Sequence, residues 1–340
     1  MSKYKKRGVI LMNLGSPDST SVSDVRKYLV EFLMDERVID QPYFWRSLLV
    51  KGIISPFRAP KSAEAYHSIW TKDGSPLVAI TRQLQEALSA KIEEPVQVSM
   101  RYGNPSMTAA YDTLQMRQPD LGEVILVPLY PQYAMSSYET AVEHAKAVHQ
   151  EGKYPFEIKF VPPFYNDPLY IAALADSIKP YLKDDSFLLF SYHSIPERHI
   201  HKSDVTGSHC LMSADCCQTA SPAHAHCYRH QCYETTRLLT TALGIPAERH
   251  TVSFQSKLGR AEWLKPATTR RLQELPAEGK KDILVVSPAF VSDCLETLEE
   301  VAIREKENFL NSGGTCYTFI PCLNTHPMWV DALATWINKI

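Results

Sequence analysis

Features that mark several common functional classes are missing from this chain of 340 residues. No apolar run approaches the roughly 20 residues that a membrane-spanning helix requires, and no G-x-G-x-x-G motif indicates a dinucleotide site. The formal net charge is only −2, so no nucleic-acid partner is indicated. With 44% hydrophobic and 22% charged residues, the composition is that of a soluble globular protein.

The N-terminus lacks the pattern of a secretory signal. Basic residues from Lys3 to Arg7 precede a short apolar run, but Asn13 interrupts that run and no small-residue cleavage site follows. We interpret this segment as the first strand of a cytoplasmic protein. The eight cysteines also lack the distribution of a disulfide framework, because five of them lie between Cys210 and Cys232. In a cytoplasmic protein this clustering favours metal binding.

Short buried runs alternate with amphipathic segments along most of the chain. Val9–Leu14 and Phe187–Tyr192 are such apolar runs, and Ser21 caps a helical segment that follows the first of them. The order predicts an α/β fold with two related, doubly wound domains built on parallel sheets. We place the domains at residues 1–165 and 166–326, with the C-terminal helix 327–340 able to pack back on the first domain.

One histidine stands at the end of a predicted buried strand. His193 directly follows the apolar run, and Pro196 prevents that run from continuing as a central strand. Open α/β sheets bind their ligands at the carboxyl ends of strands. His193 is therefore a candidate functional residue, and a loop histidine bonded to its neighbours is the alternative.

A second candidate set follows a later strand. On an α-helix drawn from Ser292 to Asn308, Asp293, Glu296 and Glu300 fall within an arc of about 60°. The like charges of Glu296 and Glu300, four residues apart, cost a few tenths of a kcal/mol unless a cation or a base uses them. The alternative is a solvated acidic face near a helix N-terminus.

Residues 42–61 combine apolar and basic side chains without an acidic one. The apolar members with helical spacing are Phe44, Trp45, Leu48, Leu49 and Ile53, and the cations are Arg46, Lys51, Arg58 and Lys61. One interpretation is a core helix with a polar edge. The other is a lip at the mouth of an active site or at a membrane surface.

These pieces together resemble one family. Six segments, in the family's order, are similar to ferrochelatase, which inserts ferrous iron into a porphyrin in haem synthesis. They are Val9–Pro17, Arg101-Tyr102, Leu129–Tyr133, Ser191–Pro196, Phe254–Lys257 and Ser292–Leu298. The resemblance covers nearly the whole chain and implies two Rossmann-like domains around a porphyrin cleft, as in related chelatases.

The resemblance also implies roles for single residues. His193 would be the metal ligand or pyrrole base, and Glu296 and Glu300, with Asp293 beside them, would be the carboxylates opposite; His193 and Glu296 would contact the Fe²⁺ substrate. Substrate contacts are expected from Arg101, Tyr102, Leu14, Tyr130 and Trp45, with the segment 42–61 as an apolar lip that meets the membrane. Some family members carry a histidine at the position of Cys294. A role assigned to that histidine in those proteins does not apply to this chain.

The metallation reaction explains why these residue types are needed. Two pyrrole protons must leave and hydrated Fe²⁺ must lose its water. A neutral imidazole can accept a proton near neutral pH or ligate the metal. Carboxylates can hold the hydrated ion or pass protons to solvent. The apolar lip favours protoporphyrin over the more polar coproporphyrin as substrate. The sequence does not distinguish a monomer from a dimer.

The segment Ser203–Cys232 interrupts the α/β order and is called the cysteine insert below. Its histidines are His209, His224, His226 and His230, and large aliphatic side chains are few. A subset of bacterial ferrochelatases resembles this chain in carrying four cysteines for a [2Fe-2S] cluster in an internal insert. We expect Cys210, Cys227, Cys232 and one of the adjacent pair as ligands, because adjacent residues rarely point both side chains at one small cluster; Cys217 is preferred and Cys216 is the alternative. Zinc is the rival metal.

Two other classes compete with a ferrochelatase. A tetrapyrrole or Fe–S sensor on the same scaffold would need neither His193 nor the acidic residues that follow Ser292. A cobalt or sirohydrochlorin chelatase would share the fold, but the match over all six segments argues against it. The sequence therefore favours a ferrochelatase in the cytoplasm, with peripheral contact to the inner membrane through the lip as an option.

Overall fold

The computed structural model of the chain describes residues 6–257 and 261–340. These divide into two units. The first comprises the described residues up to Leu129, with Met135–Pro162 and Val330–Ile340; the second comprises Tyr130–Ala134 and Pro163–Trp329. Within the described residues each unit contains one four-stranded sheet whose paired strands are all parallel. The predicted α/β fold with two parallel sheets is confirmed.

The first unit is built on a sheet with the order β2-β1-β3-β4. Its strands are β1 (Lys6–Ser16), β2 (Val96–Gly103), β3 (Leu121–Pro128) and β4 (Glu157–Phe160). Its helices are α1 (Val22–Leu33), α2 (Tyr43–Ser47), α3 (Ser55–Ile69), α4 (Pro76–Ser89), α5 (Met107–Arg117) and α6 (Thr140–Glu151). π-Helical turns cover Leu48–Ile54 and Met135–Glu139.

The central position of β1 in the sheet explains why its residues are apolar. Val9, Ile10 and Leu11 have no exposed surface, because a central parallel strand is covered on both faces. The helix that follows starts where its cap predicts: the Ser21 side chain accepts a hydrogen bond from the Asp24 backbone N–H at 3.2 Å. Because β1 and β2 pair in parallel, their carboxyl ends lie at the same edge of the sheet.

The last residues of the chain belong to the first unit. Helix α12 (Pro327–Lys339) enters this unit at Val330. The carbonyl oxygens of Ile337 and Ile340 accept hydrogen bonds from Arg7 at 3.3 Å and from Lys159 at 3.1 Å. Lys91 also pairs with Asp331. These contacts attach the C-terminal turns to β1, to β4 and to the turn that follows α4.

The second unit contains the sheet β6-β5-β7-β8. Its strands are β5 (Phe187–His193), β6 (His250–Gln255), β7 (Asp282–Val286) and β8 (Cys316–Phe319). Its helices are α7 (Pro168–Ile178), α8 (Glu197–Ser203), α9 (Tyr228–Leu243), α10 (Thr268–Glu274) and α11 (Glu305–Asn311), with a π-helix over Glu296–Arg304.

Helices cover both faces of this second sheet. On one face Phe187 and Leu189 of β5 join a buried cluster that includes Leu272, Val301 and Phe309 from the helices. On the other face the Tyr192 hydroxyl hydrogen-bonds the hydroxyl of Thr236 in α9 at 2.8 Å. Alternate residues of β5 therefore enter different layers, which makes the unit doubly wound.

The helix predicted from Ser292 to Asn308 differs from the observed one. Regular structure begins only near Leu295, and Glu296–Arg304 is π-helical, with the Glu305 N–H bonded to the Glu300 carbonyl oxygen. An i→i+5 bond replaces the i→i+4 bond of an α-helix. The arc of about 60° for Asp293, Glu296 and Glu300 assumed α-helical geometry, and it is wrong because Asp293 precedes the helix.

Candidate functional site

The candidate site of the second unit lies at the carboxyl ends of three neighbouring strands. In the register of β5 and β6, His193 lies opposite Gln255, and on the other side Phe190 of β5 lies opposite Val286 at the end of β7. The chain then leads from β7 into the π-helix that carries Glu296 and Glu300. Parallel pairing therefore brings the histidine and the acidic helix to one edge of the sheet.

His193 is half-buried, and its ring orientation defines its tautomer. Its Nδ1 lies 2.6 Å from the carbonyl oxygen of Ser194. Because a carbonyl oxygen only accepts, Nδ1 carries the proton and donates it, which leaves the lone pair of the neutral ring on Nε2. The Tyr228 hydroxyl donates to the His193 backbone oxygen at 2.8 Å, and so holds the end of β5. His193 thus offers one free base or metal ligand, Nε2.

Glu300 has the most altered environment of the acidic residues on the π-helix. Its side chain is 15% exposed, and burial raises its pKa, which hydrogen bonding from the Ser256 hydroxyl and the charge of Arg304 oppose. When His193 is protonated, its charge also lowers the pKa of Glu300, and the charge of Glu296 raises it. His193, Glu296 and Glu300 thus form one electrostatic group.

At pH values above the range in which carboxyl groups usually titrate, Glu300 makes the protein less stable. Its raised folded-state pKa means that the unfolded chain binds fewer protons in that range, so stability falls as pH rises through the folded-state value. We expect Glu300→Gln to raise Tm more at about pH 7.5 than at about pH 3.5, because the charged carboxylate is the form that burial disfavours.

Thermal unfolding at the two pH values measures the effect of Glu300→Gln. Glu307→Gln is the matched control, because Glu307 is exposed on the adjoining α11. The same Glu300 variant should insert iron more slowly, since an amide cannot transfer a proton. An equal gain in Tm at both pH values would contradict the raised pKa of Glu300 in the folded protein.

Asp293 has a positional role in this structure. It is buried, and its carboxylate accepts hydrogen bonds from the Thr297 hydroxyl at 3.0 Å, the Asn324 amide at 2.7 Å and the Cys322 N–H at 3.3 Å. These bonds connect the loop after β7 to the first turn of the π-helix. The neighbouring Cys294 is also buried, and burial raises its thiol pKa, with Glu296 adding to the effect.

The first unit places Arg101 and Tyr102 at the end of β2 in a network that the sequence did not reveal. Asp35 accepts hydrogen bonds from the guanidinium of Arg101, from the Tyr102 hydroxyl at 2.9 Å and from the Thr140 hydroxyl. Arg101 also donates to the Thr140 hydroxyl at 2.9 Å. No local pattern indicates Asp35, because its partners lie far away in the chain.

The network also affects a neighbouring histidine. Burial lowers the pKa of His144 to about 4, and the positive charge of Arg101 adds to the shift. Desolvation similarly raises the pKa of the Tyr102 hydroxyl well above its usual value. At neutral pH the group therefore contains a neutral histidine and an ion pair between Arg101 and Asp35.

The remaining predicted substrate residues have different environments. Leu14 is half-buried near the carboxyl end of β1, and Tyr130 is buried in the second unit. Trp45 is exposed to 61%. The structure thus places Leu14 with Arg101 and Tyr102 at the ends of β1 and β2, while Trp45 lies in the lip.

The lip buries one face, through Arg46, Val50 and Ala59, and leaves its apolar face exposed. Its exposed apolar side chains are Tyr43, Phe44, Trp45, Leu48, Ile53 and Phe57, each more than half exposed. A cavity of about 430 Å³ is lined by Tyr43, Phe44, Ser47, Leu48, Lys51 and Gly52. Of the four predicted cations, Lys51, Arg58 and Lys61 are exposed, whereas Arg46 is buried and donates to the carbonyl oxygens of Ile39 and Gln41.

The cysteine insert brings several thiols together. Cys210, Cys216, Cys227 and Cys232 are buried and Cys217 is half-buried. Cys217 and Cys210 donate hydrogen bonds to the sulfur of Cys227, and the bond from Cys217 is the main reason that the Cys227 pKa falls to about 6. No three His, Cys, Asp or Glu side chains in residues 6–257 and 261–340 are arranged around a position for a single metal ion.

Known proteins are similar to this chain both in fold and in sequence. The structure is similar to SirB from Bacillus subtilis, solved with Fe³⁺, at a TM-score of 0.56 and 13% identity, covering 98% of this chain and 95% of the other. A second structure, the sirohydrochlorin chelatase SirB of Bacillus subtilis subspecies spizizenii in complex with cobalt, gives a TM-score of 0.54. The fold is thus that of the chelatases.

The sequence comparisons are more specific. The family model described as ferrochelatase matches residues 6–340. A ferrochelatase of Opitutus terrae is 49% identical over 98% of both chains, and one of Ectopseudomonas mendocina is 50% identical over 96% of this chain and 95% of its own. The chain belongs to the ferrochelatase family. It is an enzyme, a lyase-class chelatase that inserts iron into a porphyrin.

Proposed function

We propose that this enzyme metallates protoporphyrin IX and that His193 Nε2 takes the pyrrole protons. The supporting observation is the hydrogen bond from His193 Nδ1 to the Ser194 carbonyl oxygen, since it leaves Nε2 as the basic atom of the neutral ring. Glu300, whose pKa is raised by burial, serves with Glu296 to pass protons towards solvent. A carboxyl with a raised pKa is suited to receiving a proton and releasing it.

Asp293, Arg101 and Tyr102 support this chemistry in different ways. Asp293 positions the start of the acidic π-helix through Thr297 and Asn324. Arg101 and Tyr102, held by Asp35, form a rigid wall for the macrocycle together with Leu14. Tyr130 completes the set of substrate contacts proposed in the second unit. A pre-formed wall reduces the entropy lost when the porphyrin binds.

The exposed lip supports the choice of protoporphyrin. Protoporphyrin has two apolar vinyl groups where coproporphyrin has charged propionates, and an apolar surface binds the former without desolvating a charge. We expect a lower KM for protoporphyrin IX than for coproporphyrin in an anaerobic iron-insertion assay. The double substitution Trp45→Ser and Leu48→Ser should reduce this preference by raising the KM for protoporphyrin.

The same lip supports peripheral contact with a membrane from the cytoplasm. No helix within the described residues is long and apolar enough to cross a bilayer. Exposed Phe44, Trp45 and Phe57 adjoin the cations Lys51 and Arg58, a combination that binds acidic headgroups and inserts rings into the interface.

The Trp45→Ser and Leu48→Ser variant tests both proposals for the lip, because its KM values report porphyrin preference and its sedimentation with anionic vesicles reports membrane contact. We expect weaker co-sedimentation than for the wild-type protein. The matched control is Met116→Ser, because Met116 is 74% exposed outside the lip. Unchanged porphyrin preference and unchanged sedimentation would contradict both roles.

We also propose that the cysteine insert holds a [2Fe-2S] cluster. The donor set fits, because several soft thiols lie together and backbone and guanidinium N–H groups donate to their sulfurs. Between α8 and α9 the chain forms turns and one short 3₁₀ helix, Pro222–Ala225, so metal binding would supply part of its folding energy. Such a cluster supplies a structural or sensing function apart from the insertion chemistry, and zinc remains the competing metal.

A further inference from the structure

We propose that Tyr228 is a positioning residue for His193. Tyr228 lies in the first turn of α9, directly after the cap residue Cys227, and its side chain is buried. This role rests on the proposed function of His193 as the base that takes the pyrrole protons. Three features support it: the pairing at the end of β5, the hydrogen bonds of the peptide that follows His193, and the polar face of α9.

The end of β5 has a paired strand on one side only within the described residues. The register with β7 ends at Phe190, whereas the pairing with β6 continues to His193. The last three residues of β5 therefore lack one of the two ladders that hold the centre of the strand. Hydroxyl groups of α9 bind this section: Thr236 bonds the Tyr192 hydroxyl and Tyr228 bonds the His193 carbonyl oxygen, each at 2.8 Å.

Two hydrogen bonds fix the peptide group between His193 and Ser194. Its N–H donates to the Gln255 carbonyl oxygen at 2.7 Å, and its carbonyl oxygen accepts from the Tyr228 hydroxyl. Because the peptide group is planar, it cannot rotate without losing one of these bonds. The next carbonyl oxygen, that of Ser194, accepts the Nδ1 proton of the His193 ring at 2.6 Å. The direction of Nε2 therefore depends on the peptide that Tyr228 holds.

The environment of Tyr228 suits a donor that acts through another residue. A carbonyl oxygen only accepts, so the hydroxyl must keep its proton, and burial raises the pKa of Tyr228 well above its usual value. The thiol of Cys232, about one turn further along α9, hydrogen-bonds the same hydroxyl. The Tyr228 side chain is only 5% exposed. It offers little surface to a porphyrin, so its effect must pass through His193.

The buried face of α9 is polar where a core-facing helix is usually apolar. Its buried polar side chains, which share one face, are Tyr228, Gln231, Thr235 and Thr236. The Gln231 amide accepts from the Tyr133 N–H at 2.7 Å and donates to two carbonyl oxygens of the cysteine insert at 2.9 and 3.2 Å. Buried polar groups that are fully bonded specify one arrangement of the chain. The face thus holds neighbouring segments in fixed positions.

Tyr228→Phe tests the role, because it deletes one hydroxyl and keeps the buried ring that the fold requires. We expect kcat for anaerobic iron insertion to fall about tenfold with an unchanged KM for porphyrin, since a small misplacement of a reacting group slows the chemical step. The matched control is Tyr111→Phe. Tyr111 is buried in the first unit and donates its hydroxyl to the Ala145 carbonyl oxygen at 3.2 Å, so its variant should lower Tm and keep the wild-type kcat.

The same substitution in His193→Ala separates positioning from a general loss of structure. Imidazole that restores part of the activity of His193→Ala is not attached to β5. We therefore expect Tyr228→Phe to leave this rescued rate unchanged, and the residual rate without imidazole is compared in the same way. A purely structural effect of the lost hydroxyl, on the fold or on the cysteine insert, would lower both rates by the factor seen in the wild-type background.

The outcomes distinguish the role of Tyr228 from that of His193. A wild-type kcat in Tyr228→Phe, or an equal fall in the rescued rate of His193→Ala, would refute the positioning role and leave His193 as the base. Near wild-type turnover in His193→Ala would refute the proposed base and the role of Tyr228 with it.

Discussion

His193→Ala is expected to reduce iron insertion by about 10²- to 10⁴-fold, the range typical for loss of a general base. The methyl group cannot accept a pyrrole proton, and nothing else on the end of β5 replaces Nε2. The fold should persist, because His193 is only half-buried and its strand is held by the parallel ladders to β6 and β7. Anaerobic steady-state kinetics measure the loss as a fall in kcat with little change in the KM for porphyrin.

His201→Ala is the matched control for His193→Ala, because His201 is exposed on α8 in the same unit. It should retain wild-type turnover. Added imidazole should restore part of the activity of His193→Ala if Nε2 acts as a base. Turnover near the wild-type rate in His193→Ala would refute the assignment of this residue.

Gly15→Ala is expected to lower the stability of the first unit by about 3–5 kcal/mol. Gly15 has φ of +106°, and a Cβ built there would lie 1.8 Å from the carbonyl oxygen of Tyr102. The close approach joins β1 to β2 at the edge where Arg101 and Tyr102 stand. A side chain at this position must therefore displace β2 as well as strain its own backbone.

Gly74→Ala separates the two contributions. Gly74 has a similar φ of +92°, but a Cβ there would meet no heavy atom within 4 Å. It should cost only the strain of a left-handed conformation, about 1–2 kcal/mol. Thermal and denaturant unfolding of both variants measure the difference. Equal losses would show that the contact with Tyr102 has no importance for stability.

Local sequence patterns were sufficient for most strands and for the position of His193. The apolar run of β5 ends at His193 as predicted, and the cap at Ser21 starts α1 at Val22. Both depend on interactions between residues close in the chain. The acidic helix was placed correctly after β7, but its π-helical form was missed. A period of 3.6 was assumed there, and no local residue indicates the i→i+5 bonds observed.

The lip and the cysteine insert were ambiguous in the sequence for another reason. An amphipathic pattern such as that of Phe44, Trp45 and Leu48 indicates which side chains share a helix face. It does not indicate whether that face is buried by the rest of the protein or exposed to solvent. Spacing alone similarly could not distinguish Cys217 from Cys216, or show that the thiol of Cys232 packs against Tyr228 in the core.

The sequence by itself determined the family, the two parallel sheets and the residue types needed for metallation, because strand periodicity and motif order are written along the chain. Only the tertiary structure decided which groups act together. Asp35 meets Arg101, Ser256 meets Glu300 and Asp293 meets Asn324. The parallel crossovers bring these distant residues to the same strand ends, and burial there changes the pKa of groups such as Glu300 and His144.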